Sequence, residues 1–154
     1  MANPKIATAA EQPINRHGAV AGETMSEGDL VGVNADGHMV HASADAASPV
    51  MALGVCLTPA DDVENYTADV TKLVIESERA LVNRDRVSAV SNGVEVENND
   101  NDWEFTPGLP VYLGTAGEFT QTRPSGAGEL VQIVGTALTE ERIRLDVRPS
   151  DVTA

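Results

Sequence analysis

Apolar and polar positions along this chain fall into short blocks with the period of strands. "GDLVGVN" (28–34) is rich in β-branched residues, and after "ADG" (35–37) the pattern resumes in "HMVHA" (38–42). Two short strands around a Gly-containing loop predict a hairpin. Beyond the small-residue loop "SADAASP" (43–49), "VMALGVCL" (50–57) is nearly continuous in apolar residues, as for a strand buried on both faces. Thr58, Pro59 and Asp61 then offer a helix start of at most one turn. "VTKLVIES" (70–77) alternates imperfectly and predicts a further strand. "RVSAV" (86–90) and "VEVE" (94–97) flank "SNG", where Asn92-Gly93 supplies the positive φ of a type I′ turn. A central hairpin is therefore predicted. In the last third, strands are predicted at 110–113, 118–122, 130–138 and 142–147. No long amphipathic helix is visible. Residues 1–18, polar and small with Pro4 and Pro13, predict an extended N-terminal arm before a single β domain over 19–150.

The blocks repeat. At an offset of 80, Gly28 falls on Gly108, Val31 on Val111, Gly37 on Gly117 and Met39 on Phe119. After one extra residue the offset is 81, and Gly54, Leu57 and Thr58 fall on Gly135, Leu138 and Thr139. Each copy, about 28–58 and 108–139, reads as Gly, strand, Gly-turn, strand, small-residue loop, buried strand, Gly, Leu-Thr. The turn glycines supply φ > 0. Gly54 and Gly135 interrupt apolar strands, which suggests a bulge or a close backbone approach. Two three-stranded units plus the central hairpin predict an all-β fold of roughly eight to ten strands, a small β-barrel or sandwich.

Composition narrows the partners. With 24 Asp and Glu against 10 Lys and Arg, the net charge is −14. Nucleic acid is not expected as a direct partner, because phosphate binding needs clustered cations. High acidity with only two lysines, Lys5 and Lys72, suits a protein folded in concentrated salt, where carboxylate repulsion is screened within a few Å. Unfolding followed against KCl tests that expectation, and full stability in dilute buffer removes it. No stretch approaches the roughly 18–20 apolar residues of a membrane helix, so no membrane partner is expected. The first residues lack the apolar core of a secretory signal.

The segment "GLPVYLGTAGEFTQTRPSGAGELVQIVGTALTEERIRLDVRP" (108–149) carries G-x-P-V-Y-L, a Gly turn, T-x-x-x-P and V-Q-x-V-G-x-A-L before a final strand. It resembles the closing segment of the capsid decoration proteins of tailed phages and archaeal viruses, a family that includes related small head proteins and some head-fibre proteins. "GDLVGVNADG" and "ALGVCL" resemble that family's first half, so the likeness spans roughly 18–148. It implies a barrel-like β fold, often a homotrimer, on the outer surface of a virion. There it would cement neighbouring subunits of the major capsid protein without catalysis. The charge adds the expectation of a haloarchaeal virus. The polar arm would serve as a strap over a neighbouring subunit. The acidity, the "ENNDNDWE" loop (97–104) and Cys56 depart from the family pattern.

Chemistry is otherwise sparse. The chain lacks a phosphate loop, zinc spacing and a nucleophile elbow. Cys56 reads as a buried, inert thiol, since His17, His38 and His41 form no motif with it. A strand places His38 and His41 on opposite faces. One metal candidate stands out: Glu97, Asn99, Asp100, Asp102 and Glu104 offer hard oxygen ligands for Ca²⁺ or Mg²⁺, against the plainer reading of a solvated acidic loop. No catalytic residue and no organic cofactor are expected. The leading expectation is a decoration protein. The alternative is a head-fibre or tail-associated module touching host surface glycans, for which Trp103 is the single Trp platform. An enzyme or a cellular β-domain comes third.

Overall fold

The computed structural model describes residues 4–9, 16–57 and 86–154. The strand expected at 70–77 and the helix start after Thr58 lie outside them. Among the described residues every regular element is a strand, and the all-β expectation holds. The strands are β1 (Pro4–Ala9), β2 (Arg16–Val20), β3 (Leu30–Val33), β4 (Met39–His41), β5 (Gly54–Cys56) and β6 (Arg86–Val90). Then follow β7 (Asn92–Asn98), β8 (Pro110–Leu113), β9 (Phe119–Thr120), β10 (Ile133–Thr139) and β11 (Arg142–Asp146). They form two antiparallel sheets, β4-β3-β5-β6-β2 and β9-β8-β10-β11-β7-β1. The sheets remain separate, so the arrangement is a sandwich and not a closed barrel.

Each half of the repeat builds one sheet, and the strand order is the same. Val33 faces Met39 across the β3–β4 pair, as Leu113 faces Phe119 across β8–β9. Val31 faces Gly54 as Val111 faces Gly135. The turn bonds repeat too: Gly37 N–H donates to the Asn34 carbonyl at 3.0 Å, and Gly117 N–H to the Gly114 carbonyl at 3.1 Å. Gly28 N–H reaches the Cys56 carbonyl at 2.8 Å, and Gly108 N–H reaches that of Ala137 at the same distance. The interrupting glycines are close approaches. A Cβ on Gly54 would lie 2.4 Å from the Val90 carbonyl oxygen, and one on Gly135 would lie 2.4 Å from that of Arg144. Neither strand can move in to pair with β6 or β11 if a side chain intervenes.

The central hairpin is corrected. β6 pairs with β2 and β5, whereas β7 pairs with β1 and β11 in the other sheet. Gly93 does take a positive φ, of 81°. The bend carries the chain from one sheet to the other, and Ser91 at the crossing is buried with its carbonyl bonded to Val147 N–H. Residues 4–9 and 16–18 of the expected arm are extended: they belong to β1 and β2, which lie at one edge of each sheet of their own chain.

Alternation decides what each sheet buries. The main core takes Val111, Phe119 and Ala137 from the β8–β10 sheet, but Leu30, Val55 and Val90 from the β3–β5 sheet. The equivalents of the first set, Val31, Met39 and Cys56, lie on the other side of their sheet, in a second cluster with Ala21, Met25 and Ala89. The two halves are thus stacked face to back. In the first sheet Leu30, Val31 and the whole of β5 are buried, so its centre is covered on both faces, whereas Ile133, Thr136 and Leu138 leave the outer face of β10 open.

Candidate functional site

The acidic loop begins where β7 ends. Asn98 is 1% exposed, and its amide Nδ2 donates to Asp102 Oδ1 and to Glu141 Oε2, both at 2.7 Å. Its Oδ1 accepts from Asp100 N–H at 3.1 Å, a side-chain turn that mimics a backbone one. Glu141, from the turn between β10 and β11, accepts from Trp103 N–H at 3.1 Å and from Glu104 N–H at 3.2 Å. Asn101 and Glu104 are the described non-glycine residues with positive φ. The chain is wrapped tightly around one carboxylate.

The five residues expected as metal ligands do not share a centre. Glu97 sits on β7 with its Oε1 3.4 Å from Arg142 Nη2. Asp102 holds Asn98, while Asn99, Asp100 and Glu104 are exposed. Among the described residues no three His, Cys, Asp or Glu side chains gather as a cation cage. Two residues not singled out in the sequence, Asn98 and Glu141, organise the loop. The two lie 43 positions apart, beyond any local pattern, although Asn98 followed by Asp100 is itself a turn signature.

Trp103 follows the loop and leans on the core. Its ring stacks on Phe105, with centroids 4.9 Å apart, and lies 5.3 Å from Phe119. Much of its surface is thereby engaged within the fold.

His41, at the end of β4, is held between two carboxylates. Its Nδ1 is 2.7 Å from Glu23 Oε1 and its Nε2 is 3.0 Å from Asp29 Oδ2. The hydrogen bond to Asp29, and then that to Glu23, push its pKa up to about 9 against the lowering effect of partial burial. The ring is an imidazolium at neutral pH, with both N–H groups donating. It has no lone pair left to serve as a general base. Cys56 is fully buried in the second cluster.

Two clefts flank the sandwich. One, of about 500 Å³, lies where the halves meet and is lined by Pro4, Asp29, His41, Gly117, Glu118 and Phe119. The other, of about 560 Å³, opens on the second sheet and is lined by Tyr112, Arg123, Ile133, Asp146, Arg148 and Val152, among others. Arg148 pairs with Asp146 at 3.2 Å and is 80% exposed. The first cleft is acidic, and the second gathers two arginines of a chain that has few cations.

No protein-family model matches the chain, and a search of curated proteins returns no match.

Proposed function

We propose that this chain is a structural subunit of a viral capsid exterior, a decoration protein that binds the major capsid protein and cements neighbouring subunits. The observation that supports this reading most directly is the coincidence of two units. The segment that resembles the decoration family, 108–149, is also a contiguous block of four adjacent strands of the second sheet, β8 to β11, with its own turn glycine and close-approach glycine. A resemblance confined to scattered strands would carry less. The open face of that half adds exposed aliphatics, Ile133 and Leu138, where a capsid surface could pack. The reading includes a homotrimer on the virion surface and a saline host setting, which the charge of −14 favours.

The glycan-binding alternative loses its main support, since the Trp103 ring is packed on Phe105 and Phe119. The test is co-sedimentation of the purified full chain with shells assembled from a major capsid protein of a haloarchaeal tailed virus, in molar KCl. Saturable binding at a fixed ratio per capsid subunit is expected. A chain left wholly in the supernatant over a range of salt overturns the proposal.

A further inference from the structure

The second sheet carries exposed carboxylates at one end, beside Arg142, which is paired with Glu95 and Glu97, and two arginines at the other, one of them paired with Asp146. At one end, beside the β10–β11 turn, stands the acidic loop with Asp100 and Glu104 exposed. At the other end, where β10 begins and β11 finishes, stands the cleft with Arg123 and Arg148. β10 has seven residues between them, so the two ends are roughly 20 Å apart. The loop cannot fold back into the cleft of its own chain, because Asn98 and Glu141 anchor it at the far end.

The cleft also has an apolar floor. Ile133 and Val152 are each 50% exposed there, beside half-buried Tyr112. In the first half the position equivalent to Ile133 is Ala52, 1% exposed beneath the other sheet. The floor of the cleft is therefore the part of the duplicated face that, in the first half, already carries a partner.

We infer that this cleft receives the acidic loop of a second copy of the same chain. Asp100 and Glu104 of one copy meet Arg123 and Arg148 of the next, over the contact made by Ile133 and Val152. Arginine suits this role, since its planar fork donates two parallel N–H bonds to a carboxylate. Arg148 is already posed beside a carboxylate, that of Asp146, and at 80% exposure its guanidinium can reach a second one. The contact joins different surfaces of the two copies, so it propagates head to tail and closes into a ring where the rotation permits. The copies repel through their net charge of −14. Salt screens that repulsion over the distance between molecules, but it weakens the close pairs at the contact less. Association is therefore expected to strengthen from dilute buffer to moderate salt.

This inference rests on the self-associating subunit proposed above, and the experiment separates the two. Sedimentation velocity is run on the full chain, on R123E/R148E and on D100K/E104K, with Asp102 left in place because it holds Asn98. Wild type is expected to associate, and each variant to associate about tenfold more weakly or not at all. Mixing the two variants is expected to restore complexes, because the acidic loop of one then meets the arginines of the other. Thermal melts check that both variants remain folded. A wild-type chain that stays monomeric at every salt, or variants that associate as wild type does, overturns the contact. Co-sedimentation of wild type with capsid shells is read in parallel. Shell binding by a strict monomer keeps the proposed function and removes this contact.

Discussion

The two halves share a strand order and differ in how many faces they bury. In the first sheet, Leu30, Ala52, Val55 and Leu57 pack toward the main core while Val31, Met39 and Cys56 pack the other way. At the equivalent positions of the second sheet stand Pro110, Ile133, Thr136 and Leu138, which face outward. Val55 is fully buried, whereas Thr136 is exposed. The framework is set by features common to both copies: the turn glycine, the close-approach glycine and the apolar inner positions. The number of layers is set by whether the alternate positions are apolar too. One duplication thus yields a sheet that accepts layers on both sides and a sheet that ends the stack and faces outward.

A second contrast lies at positions 51 and 132, which are equivalent at the offset of 81. Gln132 is 1% exposed; its Oε1 accepts Ala52 N–H at 2.8 Å, and its Nε2 donates to the carbonyls of Ala52 and Arg148 at 2.9 and 2.7 Å. Met51 accepts only Ser150 N–H at its sulfur, at 3.1 Å. Both side chains bind other parts of the sandwich, but one satisfies three backbone groups, two of them buried, and the other satisfies one. Replacing Gln132 by Leu leaves those groups without partners and is expected to cost about 3 kcal/mol or more. Met51→Leu keeps the volume and is expected to cost about 1 kcal/mol or less. Urea unfolding measures both, and equal losses would remove the distinction.

The glycines are predicted to break the two halves alike. Gly54→Ala and Gly135→Ala each drive a methyl to 2.4 Å from a backbone oxygen, and each is expected to lose about 2–3 kcal/mol. A loss in one half only would mean that the close approach is not a common element. Exchanging the alternate residues does the reverse. Val55→Thr places a hydroxyl in the core and is expected to cost about 1–3 kcal/mol. Thr136→Val on the open face is expected to change stability by less than about 0.5 kcal/mol. Similar effects at the two sites would show that the second sheet is covered in solution.

The smallest effect concerns pH. His41 in the first half is equivalent to Gln121 in the second. Both tie the end of a hairpin to the segment before it: His41 to Glu23 and Asp29, and Gln121 to the backbone of Thr106 at 2.8 and 2.9 Å. Only the imidazole titrates. Its pKa is raised in the folded chain, from 6.5 to about 9, so the charged form favours folding. That stability is fully present below about pH 6.5 and fades as the pH rises through about 9. Melting temperature is therefore expected to fall across that window in wild type. His41→Gln imports the neutral device of the second half, and its melting curve should be flatter with pH. A parallel fall in the variant would place the titration elsewhere.

Much of the fold was legible because it is local. The Gly-turns at 37 and 117, the hairpins they close and the apolar runs ending at Leu57 and Leu138 follow from short-range rules. Their recurrence at one offset also disclosed the pairing of halves. The Asn92-Gly93 signal misled for the same reason. A positive φ at Gly93 permits a bend, but whether the bend returns a strand to its neighbour or passes it to another sheet depends on which strands need partners. The acidic loop was visible as a cluster, yet the carboxylate that shapes it, Glu141, arrives from a distant turn. The pairing of His41 with Glu23 and Asp29 joins residues 18 and 12 positions apart and left no trace in the pattern.

By itself the sequence determined the strands of the two repeated units, the duplication, the glycines that make it workable and the acidic composition, because each depends on residues near one another along the chain. Only the tertiary structure decided that the halves stack face to back, that β6 and β7 part into different sheets, and that one sheet keeps an open face between an acidic and a basic end. Those features depend on which faces meet, and two faces of equal apolarity are distinguished only when the whole chain competes to cover them.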